Sequence, residues 1–152
     1  MTVAFRPATR ADLPAIVALL AADQLGATRE EVGEPLADCY IRAFDAMADD
    51  PNQLLAVADE DGAVVGTLQL TFIPGLSRRG SWRGQIEAVR IAHGHRGQGL
   101  GERFFRWAIG LCRERGCALV QLTTDRSRAD AHRFYDRLGF EASHLGYKLK
   151  LR

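Results

Sequence analysis

Little in this sequence is in excess. Its 152 residues carry 20 Lys and Arg against 19 Asp and Glu, a net charge of +1. No global field therefore draws the chain to nucleic acid or to an anionic membrane, and neither is an expected partner. Any electrostatic function must be local. Cys39, Cys112 and Cys117 are an odd number of cysteines without metal-ligand spacing. They suit reduced thiols in a cytoplasmic protein better than a disulfide framework, and no metal site is expected. No apolar run approaches a membrane span, and "MTVAFRPATRADLP" lacks the basic-then-apolar pattern of a signal peptide. Repeats, linkers and low-complexity stretches are absent too. With 47% hydrophobic and 26% charged residues, residues 1–152 have the composition and length of one globular domain with a proper core.

Local patterns divide the chain into alternating elements. Val3–Phe5 reads as a strand, and Thr9 with Asp12 three residues on has the spacing of a capping box. Leu13, Ile16, Val17 and Leu20 follow on one helical face, and a second helix is expected between Thr28 and Ala48. Leu54–Ala58 is a strand, Asp59–Gly62 a hairpin turn, and Leu68, Leu70 and Phe72 alternate along the next strand. Gln85–Ile91 is a further strand. A helix runs from Gly99 to about Arg115, closed by Gly116, followed by a strand at Ala118–Thr124 and a helix at Arg128–Leu138 capped by Gly139. Gly146–Leu151 alternates as a last strand. The order β-α-α-β-β-β-α-β-α-β predicts an α/β (α+β) domain with a mainly antiparallel start.

The stretch "HRGQGLG", His95–Gly101, carries three glycines in five residues behind an arginine, between a strand and a helix. Free backbone N–H groups and the positive end of a helix make such a turn a site for phosphate. A P-loop requires Lys-Ser or Lys-Thr after its last glycine, and Leu100-Gly101 stands there instead. The dinucleotide fingerprint requires a third glycine at 102, where Glu102 stands, although Asp125 lies roughly where a ribose-binding acid is expected. A turn that only packs a helix on a strand is the plain alternative.

Arg96, Gly97, Gln98, Gly99, Leu100 and Gly101, after a strand and opening a helix, resemble the pyrophosphate-binding signature of the GNAT acetyltransferase superfamily. "FRPATRADLPAIVAL" is similar to that family's first strand and helix, "QIEAVRIAHGHRGQGLG" to its fourth strand and acyl-CoA loop, and "AHRFYDRLGF" to its last helix and the strand after it. The resemblance covers nearly the whole chain. "TTDRSRADAHRFYDRLGFEASH" resembles the C-terminal part of aminoalkylphosphonate N-acetyltransferases. The family implies a mixed central sheet with splayed fourth and fifth strands, about four helices, and acetyl-CoA as cosubstrate. It implies acetyl transfer to a primary amine of a small molecule by direct attack in a ternary complex.

On that resemblance, Ala88, Val89, Arg90 and Ile91 receive the pantetheine arm along their backbone, with the Val89 N–H donating to the thioester oxygen. Tyr135 is the acid for the leaving thiolate, against a plain role as a core aromatic. Glu87, two residues before Val89 and on its face by strand alternation, is the base for the attacking amine. A solvated glutamate or an ion pair with Arg90 is the alternative. The family commonly carries Asn at the position of Arg128, so that pantetheine contact is not carried over. Arg78, Arg79, Trp82 and Arg83 in "SRRGSWRG" are substrate-site candidates, since guanidinium forks suit a carboxylate or phosphonate. An aminoalkylphosphonate or amino-acid acceptor, a non-catalytic acyl-CoA-binding module, and a homodimeric assembly stay open.

Overall fold

The computed structural model describes residues 2–152. Strands β1 (Val3–Pro7), β2 (Gln53–Glu60), β3 (Ala63–Ile73), β4 (Arg83–Ile91) and β5 (Leu119–Gln121) form one sheet in sequence order. The first four are antiparallel neighbours, and β5 runs parallel to β4. Helices α1 (Leu13–Ala21), α2 (Gly26–Arg29), α3 (Asp38–Ala48), α4 (Ser77–Gly80), α5 (Leu100–Glu114) and α6 (Ala129–Leu138) connect and cover it. Six helices stand among the described residues where about four were expected, because α2 and α4 are single turns too short to carry a helical period. Among the described residues no helix is long and apolar enough to cross a membrane.

Local chemistry sets the boundaries. Thr9 donates to Asp12 Oδ2 from its backbone N–H at 2.7 Å and from its hydroxyl at 3.1 Å, closing the expected capping box. The same carboxylate takes the Arg6 guanidinium at 2.8 and 3.0 Å, which holds the Asp12 carboxyl down at about 2. Asp61 and Gly62 have φ of 51° and 95°, the two left-handed residues of a tight hairpin that pairs Glu60 with Ala63.

The main core lies on one face of the sheet, where Leu68, Leu70, Phe72 and Ile86 meet Leu100, Phe104, Phe105, Ala108 and Cys112. Helix α5 comes so close that a Cβ on Gly84 would stand 2.3 Å from Cys112 Sγ. Burial pushes that thiol up to about 12. Phe105 meets Phe134, Tyr135 and Phe140 edge-on, docking α6 against α5. A smaller cluster of Leu13, Ile16 and Val57, joined by Leu20 and Phe44, seats α1 and α3 on the other face.

The expected last strand does not form. Residues 141–152 are all exposed and outside the sheet. Alternation of side chains specifies which face a strand buries, but a strand exists only when another segment satisfies its backbone.

Candidate active site

The sheet comes apart at β4. Gln69 lies opposite Glu87 and Thr67 opposite Arg90, so Ala88 and Val89 together face Leu68. This is a β-bulge, with Ala88 at φ 53°. The extra residue reverses the phase of the strand. Ile86 and Val89, three positions apart, both pack on the α5-side core, whereas Glu87 sits across from Gln69 on the α1–α3 side. Glu87 and Val89 therefore do not share a face as plain alternation predicts.

Beyond the bulge, β4 also leaves β5. Their parallel pairing covers only Arg83–Gln85 against Leu119–Gln121, reinforced by Gln121 Nε2 donating to Gln85 Oε1 at 3.0 Å. From Ile86 to Ile91 no β5 residue lies opposite, which opens a wedge between the two strands.

The glycine loop closes the wide end of this wedge. His95 Nε2 contacts Glu60 Oε1 at 3.0 Å, and Arg96 Nε donates back to the Ile91 carbonyl at 3.1 Å. Gly97 and Gly99 take φ of 76° and 79°, and a Cβ on either would meet nothing within 4 Å. The loop thus presents bare backbone to open space at the N-terminus of a 15-residue helix. Gly101 is different. Its Cβ would touch Phe134 at 3.6 Å and Ile91 at 3.8 Å, so it packs α5 on the strand and on α6. An unpaired strand edge leading to a bare, positively poled loop fits an extended pantetheine arm ending in a pyrophosphate.

Tyr135 stands beside the wedge on α6. Burial pushes its phenol above the ordinary value, opposed by the nearby guanidiniums of Arg128 and Arg90. Both arginines pair with one carboxylate: Asp23, in the turn after α1, accepts a hydrogen bond from Arg128 Nη1 at 2.6 Å and lies 3.3 Å from Arg90 Nε, an ion pair without a hydrogen bond. The ion partner of Arg90 is thus Asp23 and not Glu87. Glu87 is exposed and accepts from Gln85 Nε2 at 3.3 Å. Asp23 and Arg128 are 105 residues apart, so no spacing in the sequence could announce their pairing.

A cavity of about 170 Å³ lies between α1, α3, β3 and the bulge, lined among others by Leu20, Tyr40, Phe44, Met47, Gln69 and Ala88. It went unseen in the sequence because its wall is assembled from five separate elements, β2 contributing Leu55. Arg78, Arg79, Trp82 and Arg83 do not line it. Arg78 and Arg79 are exposed in α4 with left-handed φ of 54° and 62°. Arg83 alternates with Gln85 and Glu87 on the cavity side of β4, and four residues of strand put its Cα about 13 Å from that of Glu87.

The family described as "Acetyltransferase (GNAT) family" matches residues 17–140. The chain belongs to the GNAT acetyltransferase family. This GNAT chain is 36% identical over 98 residues to aminoalkylphosphonate N-acetyltransferase of Salmonella typhimurium, a match over 64% of this chain and 63% of that protein. The chain thus spans less than two thirds of that relative's length. A Bacillus halodurans C-125 protein described as a transcriptional regulator shares the fold at TM-score 0.96 and 49% identity, over 99% of this chain and all of that one. A Trypanosoma brucei acetyltransferase aligns at TM-score 0.80 and 26% identity, over 99% of this chain and all of that one. The bulged, splayed sheet is therefore the GNAT fold.

Proposed function

We propose that the protein transfers the acetyl group of acetyl-CoA to a primary amine of a small molecule, in a ternary complex at the β4 bulge. One observation carries the reading. The β5-facing edge of Ile86–Ile91, which has no strand beside it, runs directly into the bare glycine loop, with Glu87 on one side of the sheet and Tyr135 beside the wedge. Acetyl-CoA supplies an activated acyl carbon and a thiol leaving group. Arg96–Gly101 would hold its pyrophosphate with backbone N–H groups, and Ala88–Ile91 its pantetheine arm. In this scheme the Val89 N–H donates to the carbonyl oxygen of the acyl group as charge develops there. Glu87 removes a proton from the acceptor ammonium, directly or through water. The Tyr135 hydroxyl returns a proton to the departing sulfur, and its raised pKa keeps it protonated at neutral pH.

The acceptor lies in the cavity beside Ala88, where an apolar wall fixes its body and Glu87 faces its nitrogen. The finer reading is an amine bearing a carboxylate or phosphonate. It is supported by the name of the Salmonella relative and by Arg83 on the row that carries Glu87. In a panel of primary amines with acetyl-CoA, thiol release is expected fastest with anionic amines. Arg83→Ala should raise their KM roughly 10- to 100-fold, the worth of one charge-assisted hydrogen bond, and leave neutral amines and acetyl-CoA unaffected. Equal losses for charged and neutral amines would remove the anionic reading. Acetyl-CoA binding without turnover of any amine would leave the non-catalytic sensing module.

A further inference from the structure

We infer that the acceptor carries, next to its amine, a hydrocarbon side chain of about four to six carbons, leucyl to phenyl in size, which the cavity beside Ala88 receives. This rests on the acetyl-transfer reading of the bulge and adds the class of acceptor to it. The ammonium meets Glu87, and the side chain enters the space between α1 and α3. A carboxylate or phosphonate on the same molecule stays outside that space, on the strand row of Glu87 and Arg83.

The wall has no place for charge. Its hydroxyls are already engaged within the protein. Tyr40 Oη accepts from the Glu31 N–H at 2.8 Å and donates to Glu30 Oε1 at 2.9 Å, and Thr67 Oγ1 donates to the Ala56 carbonyl at 3.0 Å. The Gln69 amide donates from Nε2 to Gln53 Oε1 at 3.2 Å and lies opposite Glu87, at the bulge end of the wall. The rest is hydrocarbon, led by Leu13, Ile16, Val17, Leu20, Phe44 and Met47. A carboxylate, phosphonate or sugar hydroxyl pushed in there gives up its water for at most one amide, whereas a hydrocarbon side chain gains by leaving water.

Size and place point the same way. A core seldom keeps a void much larger than a water molecule, yet about 170 Å³ stays open here. An apolar cavity of ~150 Å³ takes up benzene, so this volume fits a phenyl ring or an isobutyl group. The wall joins buried Leu13, Ile16 and Val17 to exposed Ala43 and Ala88, so the space runs from the core out to solvent at the bulge. Ala88 follows Glu87 directly, and its φ of 53° belongs to the bulge itself. A side chain lodged there holds its amine beside the proposed base.

Calorimetric titration in the presence of coenzyme A, which has no acetyl group to give, reads binding alone, so its outcome is separate from that of the catalytic reading. Two series of constant head group serve as probes: ethylamine, isoamylamine and phenethylamine, then glycine, leucine and phenylalanine. Affinity should rise roughly 10- to 150-fold from the smallest to the larger members, the worth of burying such a side chain. Ala43→Trp, at an exposed site of α3, fills the cavity and should shrink that span to about threefold. Met47→Ala widens the cavity and should move the optimum to a naphthyl amine. Both variants should keep the far-ultraviolet dichroism of the parent. A flat response along both series, or a preference that neither variant moves, would overturn the inference. Flat binding beside acetylation of the small amines would remove the hydrocarbon site and keep the transfer. Graded binding with no transfer to any amine would remove the catalytic reading and keep the hydrocarbon site.

Discussion

Replacing Gly99 by valine separates the conformational duty of the glycine loop from its ligand duty. Gly99 holds φ 79° with nothing within 4 Å of an added Cβ. The substitution therefore creates no clash, and its cost is the left-handed backbone alone, about 1–2 kcal/mol for an L-residue. A domain of this length loses roughly 2–4 °C of melting temperature per kcal/mol, so the free variant should melt about 2–8 °C lower and remain folded. Coenzyme A binding should suffer more. The isopropyl group occupies the space in which a pyrophosphate would approach the loop. Each charge-assisted hydrogen bond it prevents is worth ~1.5–3 kcal/mol, or about 10- to 100-fold in Kd. Gly116→Val is the control, because Gly116 has φ 78° and equally open space at the other end of α5. Fifteen helical residues put it about 22 Å away. Calorimetric titration with coenzyme A, beside melting curves with and without it, reads both quantities. Gly99→Val should lose affinity and Gly116→Val should keep it, at similar losses of stability. A folded Gly99→Val that binds coenzyme A within twofold of the parent would refute the phosphate role of the loop.

Further outcomes follow from the same geometry. Tyr135→Phe should lower kcat with little change in the KM for acetyl-CoA, the mark of an interaction made in the transition state. Glu87→Gln should flatten the rise of rate with pH, and an unchanged pH–rate profile would assign proton removal to another group. Asp12, held at about 2 against an ordinary 3.8 by the Arg6 hydrogen bonds, contributes stability above pH ~4 that is lost as pH falls toward 2. That contribution amounts to about 2 kcal/mol. Urea denaturation should find it missing from Asp12→Asn, whose stability will fall less steeply over that range. Gly84→Ala places a Cβ 2.3 Å from Cys112 Sγ and should cost ~1–3 kcal/mol by overpacking. The double variant with Cys112→Ala should recover part of the loss, and no recovery would mean that the strain lies elsewhere.

Much of the fold is written in short-range signals. The Thr9–Asp12 box and the Asp61-Gly62 turn arise among residues close in sequence, and both form as expected. So do the left-handed caps at Gly116 and Gly139 and the apolar stripe of α5. The glycine loop belongs to this class as well. Its left-handed residues and the helix that follows are local, so its residue types alone separate it from a P-loop and from a dinucleotide turn.

Tertiary structure decided the rest, because the rest depends on segments that meet only in the folded chain. The bulge at Ala88–Val89 depends on how β4 registers against β3, and it turned Val89 to the face opposite Glu87, where plain alternation gives the two one face. Asp23 joins Arg90 and Arg128 across three elements. The cavity wall comes from α1, α3, β2, β3 and β4 together. The arm at 141–152 is the clearest instance. Its alternating sequence determined that it has one apolar face, but a backbone without hydrogen-bond partners is no strand, and its partners are not supplied by the body it leaves.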